Sequence, residues 1–105
     1  MCVNNNIKLS ILIACYNWDV YKLIKNLHTL CLNNSQLTNF EIICIDDAST
    51  QCFTNKKILD FSNVYYEHLN KNIGRSKIRN LMAEKAKYEW LLFIDADSQI
   101  FSSDF

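Results

Sequence analysis

A chain of 105 residues has room for one modest core, which excludes a two-domain enzyme. Half of its residues are hydrophobic, 12% aromatic and 21% charged, with one glycine and no proline, a make-up that excludes disordered, collagen-like and low-complexity classes. Eleven basic residues balance eleven acidic ones, so no overall field draws the chain to nucleic acid or to an anionic membrane, and any charge argument has to be local.

The first strand is expected from Leu9 to Ala14, a short, nearly continuous apolar run. Val20, Leu23, Ile24, Leu27, Leu30 and Cys31 then recur at helical spacing and predict an amphipathic helix, with Asn17 in position to cap its start. After a polar, turn-rich loop at Asn33 to Asn39 comes a second apolar strand, Glu41 to Ile45, and a weaker helical segment from about Phe53 to Phe61. Val64 to His68 mixes polar and apolar residues and reads as an edge strand. A third helix starts near Gly74, marked by Ile78, Leu81, Met82 and Lys85-Ala86, and leads into a fourth strand, Trp90 to Ile94, whose apolar run suggests cover on both faces. This β-α-β-α-β-α-β alternation implies an α/β fold, a mostly parallel sheet with flanking helices joined by right-handed crossovers.

Five cysteines, an odd number with no C-x-x-C pair, favour a reducing cytosol over a disulfide framework. The apolar runs are far too short to cross a bilayer and Met1 to Asn6 has no signal-peptide pattern, so a cytoplasmic chain without a transmembrane segment is expected.

Ligands of open parallel sheets bind outside the carboxyl ends of the strands, so the residues just after each strand carry the chemistry. Here these are Ala14-Cys15-Tyr16-Asn17, Asp46-Asp47-Ala48-Ser49-Thr50 and Asp95-Ala96-Asp97-Ser98. Asp95 and Asp97 stand two apart, which in extended chain directs both carboxylates to one face, as suits Mg²⁺ or Mn²⁺ completed by water and phosphate oxygens. The plainer reading is that they end a strand and cap a turn. Asp46 and Asp47 either accept hydrogen bonds from a base or ribose or form a solvated turn before a Ser49 or Thr50 cap. Tyr16 either stacks on a base or packs.

From Lys71 to Lys87 six basic residues face one acidic residue, Glu84. Arg75 and Arg79, four apart, share a helical face that suits a diphosphate, unless it is simply solvated. His28 and His68 have no partner at metal-ligand spacing and read as structural. Neither G-x-G-x-x-G nor a Walker A sequence is present, which removes dinucleotide-fold and P-loop chemistry.

Taken in order, these motifs resemble the nucleotide-sugar-binding half of family 2 glycosyltransferases of the GT-A fold. Leu9 to Asn17 resembles the opening strand and its Y/F-N end, and Phe40 to Ser49 resembles "E-I-I-V-V-D-D-G-S". Asn72-Ile73-Gly74-Arg75-Ser76-Lys77-Ile78-Arg79-Asn80 resembles "N-x-G-x-S-x-A-R-N", and Trp90 to Asp97 resembles the strand leading to the D-x-D. The resemblance implies a Rossmann-like sheet binding a nucleotide-sugar donor, a UDP-sugar first. Ala14 and Tyr16 would line the base pocket, Asp47 would contact base or ribose, Arg79 would lie near the nucleotide, Asp97 would ligate Mn²⁺ or Mg²⁺, and Asp95 would support through ribose or water.

It further implies an inverting, metal-dependent transfer in bacterial polysaccharide or glycoconjugate synthesis, with the full-length protein peripheral to the inner membrane. The sequence departs from the pattern in lacking the usual proline or threonine before Tyr16 and in having Ala48 for glycine. The family's acceptor site and carboxylate base lie further along the chain than Phe105. Residues 1–105 are therefore expected to be a single nucleotide-sugar-binding domain truncated after the D-x-D, without a catalytic residue, inactive alone and prone to self-association through its bared apolar face. The acceptor is left open. Two other readings remain: a Mg²⁺ phosphohydrolase of the haloacid-dehalogenase type, whose nucleophile motif has the form Asp95-Ala96-Asp97, and a non-catalytic nucleotide-binding module.

Overall fold

The computed structural model describes residues 7–35, 37–50 and 54–97. They form β1 (Ile7–Cys15), α1 (Tyr21–Asn33), β2 (Leu37–Asp46), a 3₁₀ segment (Thr54–Asp60), β3 (Val64–His68), α2 (Arg75–Lys85) and β4 (Trp90–Asp95). The strands make one sheet in the order β3-β2-β1-β4 with every neighbouring pair parallel, the α/β architecture that the alternation implied.

Strand side chains alternate between faces, and this period divides the core into two layers. Ile11, Ile13 and Cys15 of β1 join Ile42 and Cys44 of β2 beneath Leu23, Ile24, Leu27 and Cys31 of α1. Leu12 of β1 with Ile43 and Ile45 of β2 lie on the opposite face, against Ile78 and Met82 of α2. The register pairs Ile11 with Ile42 and Leu12 with Ile43, so a slip of one residue would exchange the layers and bury neither helix correctly. His28 is structural, as expected: its Nε2 donates to the Ser62 carbonyl at 3.0 Å, and its ring packs near Phe40 and Phe61.

Four expectations need correction. Asn17 does not cap α1: the helix starts at Tyr21, whose N–H reaches Asp19 Oδ1 at 2.9 Å, while Asn17 takes a left-handed conformation (φ 51°) and bonds elsewhere. The segment expected as a helix from Phe53 is a 3₁₀ stretch from Thr54; Phe53 itself lies outside the described residues. Of its described side chains only Ile58 enters the core, too little apolar surface to hold an α-helix against the sheet. β2 begins at Leu37, inside the expected loop, because pairing with β1 extends back to Ile7 with Leu37 and Lys8 with Asn39, with Thr38 at a register shift between them.

The fourth correction concerns Trp90 to Ile94, which is an edge strand and is not covered on both faces. Trp90 is 65% exposed, and Leu91, Leu92 and Phe93 each exceed a third. Both helices lie chiefly over β1 and β2; β4 reaches the α1 layer through partly buried Ile94, and Arg79 of α2 extends over Phe93. β3 forms the opposite edge, as its mixed composition predicted.

Three acidic groups, buried or half-buried, hold their protons more tightly in the fold than in the open chain. Burial pushes the Cys31 thiol up to about 11 from 9.0. The Cys44 thiol is raised by its hydrogen bond with Cys15 and by burial, and the Tyr66 phenol by burial and then by the charge of Asp46. Between the unfolded and folded values the native state binds more protons, so stability is at its full value below about pH 9 and falls as pH rises. Urea midpoints at pH 8.0, roughly 9.5 and roughly 10.5 should therefore decline in that order; a flat series would contradict the assignment.

Candidate functional site

Because the strands are parallel, β1, β2 and β4 deliver their carboxyl ends to one rim. Ala14 is registered with Ile45 on one side and Asp95 on the other, and Leu12 with Phe93, which places Phe93 and Asp95 on the α2 face of the sheet. α2 covers β1 and β2 on that face and stops short of β4, leaving a cavity of about 420 Å³ between helix and edge strand. Ala14, Tyr16, Asp47, Arg79, Asp95 and Asp97, separated by up to 83 positions in the chain (97 − 14), all line it. In this strand order the crevice opens where the chain changes direction across the sheet, between β1 and β4.

Asp47 is buried and not part of a solvated turn. Its Oδ1 accepts the Ile73 N–H at 2.7 Å and its Oδ2 the Gly74 N–H at 3.0 Å, while its carbonyl accepts from Asn72 Nδ2 at 3.1 Å. Gly74 has φ +89°, a conformation that strains any residue with a Cβ, and this turn presents both amides to one carboxylate. Asp46 is also buried; Oδ1 accepts the Ser49 N–H at 2.8 Å and Oδ2 the Tyr66 hydroxyl at 3.1 Å. Among the described residues Ser49 and Thr50 cap no helix. Ser49 Oγ accepts the Asn17 N–H at 2.6 Å, and the Thr50 N–H donates to Asn17 Oδ1 at 2.8 Å. Tyr16 is thereby held between buried Cys15 and pinned Asn17 with half of its surface open to the cavity and solvent.

The two arginines have different neighbours. Arg75 Nη2 lies 3.1 Å from Asp95 Oδ1, with both side chains largely exposed, whereas the Arg79 guanidinium rests 4.3 Å from the centre of the Phe93 ring. β4 ends at Asp95, so it is the following turn, and not the strand period, that places Asp97 beside it. Ser98 lies outside the described residues. Sequence reasoning missed Trp18, which lines the cavity half-exposed; its only signal is a large aromatic in the loop after β1.

The arrangement offers aromatic faces for a base, guanidinium groups for phosphate and two carboxylates at the rim. Among the described residues no group of three or more His, Cys, Asp or Glu could hold a metal ion. Two hard oxygen donors with room for water and phosphate oxygens nevertheless fit Mg²⁺ or Mn²⁺, which seldom take an all-protein shell.

The family model for glycosyl transferase family 2 matches residues 10–105, and the chain belongs to that family. It is 32% identical over 98 residues to a polypeptide N-acetylgalactosaminyltransferase 12 of Drosophila melanogaster described as inactive, covering 83% of this chain. It is 29% identical over 101 residues to the poly(ribitol-phosphate) beta-N-acetylglucosaminyltransferase TarS of Staphylococcus aureus, covering 89% of this chain. The alignments span 17% of the length of each of these relatives.

The crystal structure of S. aureus TarS 1–349 superposes with a TM-score of 0.70 at 27% identity, covering 93% of this chain and 30% of that one. The same segment in complex with UDP gives 0.66 at 28% identity, covering 87% and 28%, and in complex with UDP-GlcNAc 0.64 at 28% identity, covering 87% and 27%. The fold expected from the motif resemblance is thus the fold of solved family neighbours.

Asp47→Ala removes a charged acceptor from two backbone amides at once and should lower unfolding free energy by about 3 kcal/mol. Urea denaturation gives the value, and a loss below about 1 kcal/mol would show that the turn at residues 72–74 holds without the carboxylate.

Proposed function

We propose that the cavity between α2 and β4 binds the nucleoside diphosphate of a sugar donor, UDP first, and that the chain is the donor-binding part of an inverting, metal-dependent glycosyltransferase of bacterial polysaccharide or glycoconjugate synthesis. One observation carries this reading: in a family 2 chain, the aromatic residues Tyr16 and Trp18, Arg79 and the carboxylates Asp95 and Asp97 all line a single cavity. The UDP and UDP-GlcNAc complexes of TarS, at similar identity, support the choice of base.

In this reading Tyr16 stacks on the base, and small Ala14 leaves room beneath it. Asp47 contacts base or ribose through lone pairs not used by Ile73 and Gly74. Arg79 lies along the nucleotide, Asp97 ligates Mn²⁺ or Mg²⁺, and Asp95 supports through ribose or a water. When bound, the cation supplies charge neutralisation for the departing nucleoside diphosphate. The phosphohydrolase reading gains no support from the family match.

The cavity's described carboxylates, Asp47, Asp95 and Asp97, all have a part in holding donor and cation, which leaves none of them to deprotonate an acceptor hydroxyl. We therefore infer that these 105 residues bind donor without transferring sugar, with the acceptor side supplied elsewhere. The exposed apolar residues of β4 support self-association of the isolated chain. The three described cysteines are free thiols, in keeping with a cytoplasmic protein, peripheral to the inner membrane in its complete form. No described helix is long and apolar enough to cross a membrane.

Calorimetry should show UDP binding that weakens when Mn²⁺ is removed, and Tyr16→Ala should reduce affinity about tenfold through lost stacking. If Asp97→Ala keeps the parent's Mn²⁺ dependence, the ligand assignment is wrong. Radiolabelled UDP-sugar with a range of acceptors should give no acceptor-dependent product, and sedimentation should show species larger than a monomer that Trp90→Lys dissociates. Turnover by a monodisperse monomer would overturn both inferences.

A further inference from the structure

Arg75 has no part in the reading above, on which this inference rests. It opens α2, lines the cavity and stands one turn from Arg79 on the same helical face. Its guanidinium lies 3.1 Å from Asp95 Oδ1, with 75% and 68% of the two side chains exposed. The pair therefore places an always-charged donor on one of the two rim carboxylates that suit a divalent cation. Arg79 is engaged differently, over the Phe93 ring, and no described ion pair occupies it.

We propose that Arg75 is a further binding residue for the donor's diphosphate, one that neutralises Asp95 in the empty site and exchanges it for the divalent cation when the donor is bound. An exposed ion pair is weakly held and readily exchanged. A divalent ion concentrates twice the charge in a smaller volume and takes over the Asp95 carboxylate, directly or through its water shell. The released guanidinium carries five N–H donors in a planar fork, the shape that matches phosphate oxygens, and it stands at the positive end of a helix already facing the cavity. The basic stretch, which the neutral net charge hides, then has a specific use: one arginine lies along the nucleotide and the other serves as a placeholder for the metal.

The exchange gives two effects of opposite sign. In Arg75→Gln, manganese(II) alone, followed by electron paramagnetic resonance of the free ion, should bind about threefold more tightly because its competitor for Asp95 is gone. UDP in saturating Mn²⁺, followed by calorimetry, should bind about tenfold more weakly because a charged donor to phosphate is lost. Arg75→Lys, which keeps the charge without the fork, should restore the parental Mn²⁺ affinity and only part of the UDP affinity. Both affinities unchanged in Arg75→Gln, or both weakened together, would overturn the exchange. Failure of the unaltered chain to bind UDP would instead remove the nucleotide reading itself and this inference with it, so the two failures are distinguishable.

Discussion

The carboxylate of Asp47 fixes the helix on which the site is built. α2 has Gly74 at its start, without a side-chain cap of its own, and Asp47 supplies from the end of β2 the acceptor that the turn lacks, taking the Ile73 and Gly74 amides together. A negative charge at that end also complements the helix dipole. The other end of α2 is tied to the same strand. Glu41 Oε2 accepts the Ser10 hydroxyl at 2.7 Å and the Lys87 N–H at 2.7 Å, and the Tyr88 N–H donates to Ser10 Oγ at 3.3 Å. Alternation along β2 puts Glu41 on the α2 face with Ile43 and Ile45, and Asp47, one residue past the strand's end, bonds to the turn that starts α2. Six strand residues span roughly 20 Å and an eleven-residue helix roughly 16 Å, so one strand is long enough to hold a helix at both ends. The motif running from Glu41 to Asp47 is, in physical terms, a pair of clamps, and Arg75 and Arg79 face the rim because the clamps set how the helix lies.

Charge is arranged along α2 in the same way. The chain is neutral overall, yet the helix presents arginines toward the carboxyl rim and Lys85 toward the opposite end, where it sits 3.5 Å from Glu67 and 5.3 Å from the Tyr65 ring centre. Ion pairs as exposed as these contribute little to stability. They do not hold this fold together. The two apolar layers do, and the surface charges are free to serve binding, which accounts for a basic stretch in a protein with no net charge.

The elements and their order were legible in the sequence because strand and helix periods differ, and the two-sided core of β1 and β2 is written in nearly continuous apolar runs. The sequence also indicated which residues share the rim, since parallel strands must end together. It did not show that β4 lies open: an apolar run records the preference of its side chains, not which helix reaches them, and both helices are used on the neighbouring strands. The destination of Asn17 was hidden for a similar reason. An asparagine before an amphipathic stretch has the form of a cap, but this one bonds to Thr50, 33 residues away, a partner that no local rule can name. Asp47 was singled out for its charge and position, whereas its bonds to Ile73 and Gly74 depend on a turn whose shape the single glycine only hinted at.

The rim is also where the backbone stores strain. Asn17 and Ala48 are two of the described non-glycine residues with positive φ, at 51° and 64°. Asparagine tolerates this region, but alanine gains nothing there, and the left-handed form costs an L-residue about 1–2 kcal/mol. The cost at Ala48 is opposed by a dense set of short bonds around it: Asp47 N–H to the Cys15 carbonyl at 2.8 Å, Ala48 N–H to the Asp46 carbonyl at 2.9 Å, and Ser49 N–H to Asp46 Oδ1 at 2.8 Å. Each of these ties the end of β2 to itself or to the end of β1. Relaxing Ala48 would break bonds that also fix Asp47, and through it the start of α2, so the strain persists because the surrounding contacts over-determine it. In the same way the Asn17 bonds to Ser49 and Thr50 hold Tyr16 in place. The rim is therefore stiff where it must present an aromatic ring and a helix start in fixed relation, while β4 contributes an exposed wall to the cavity.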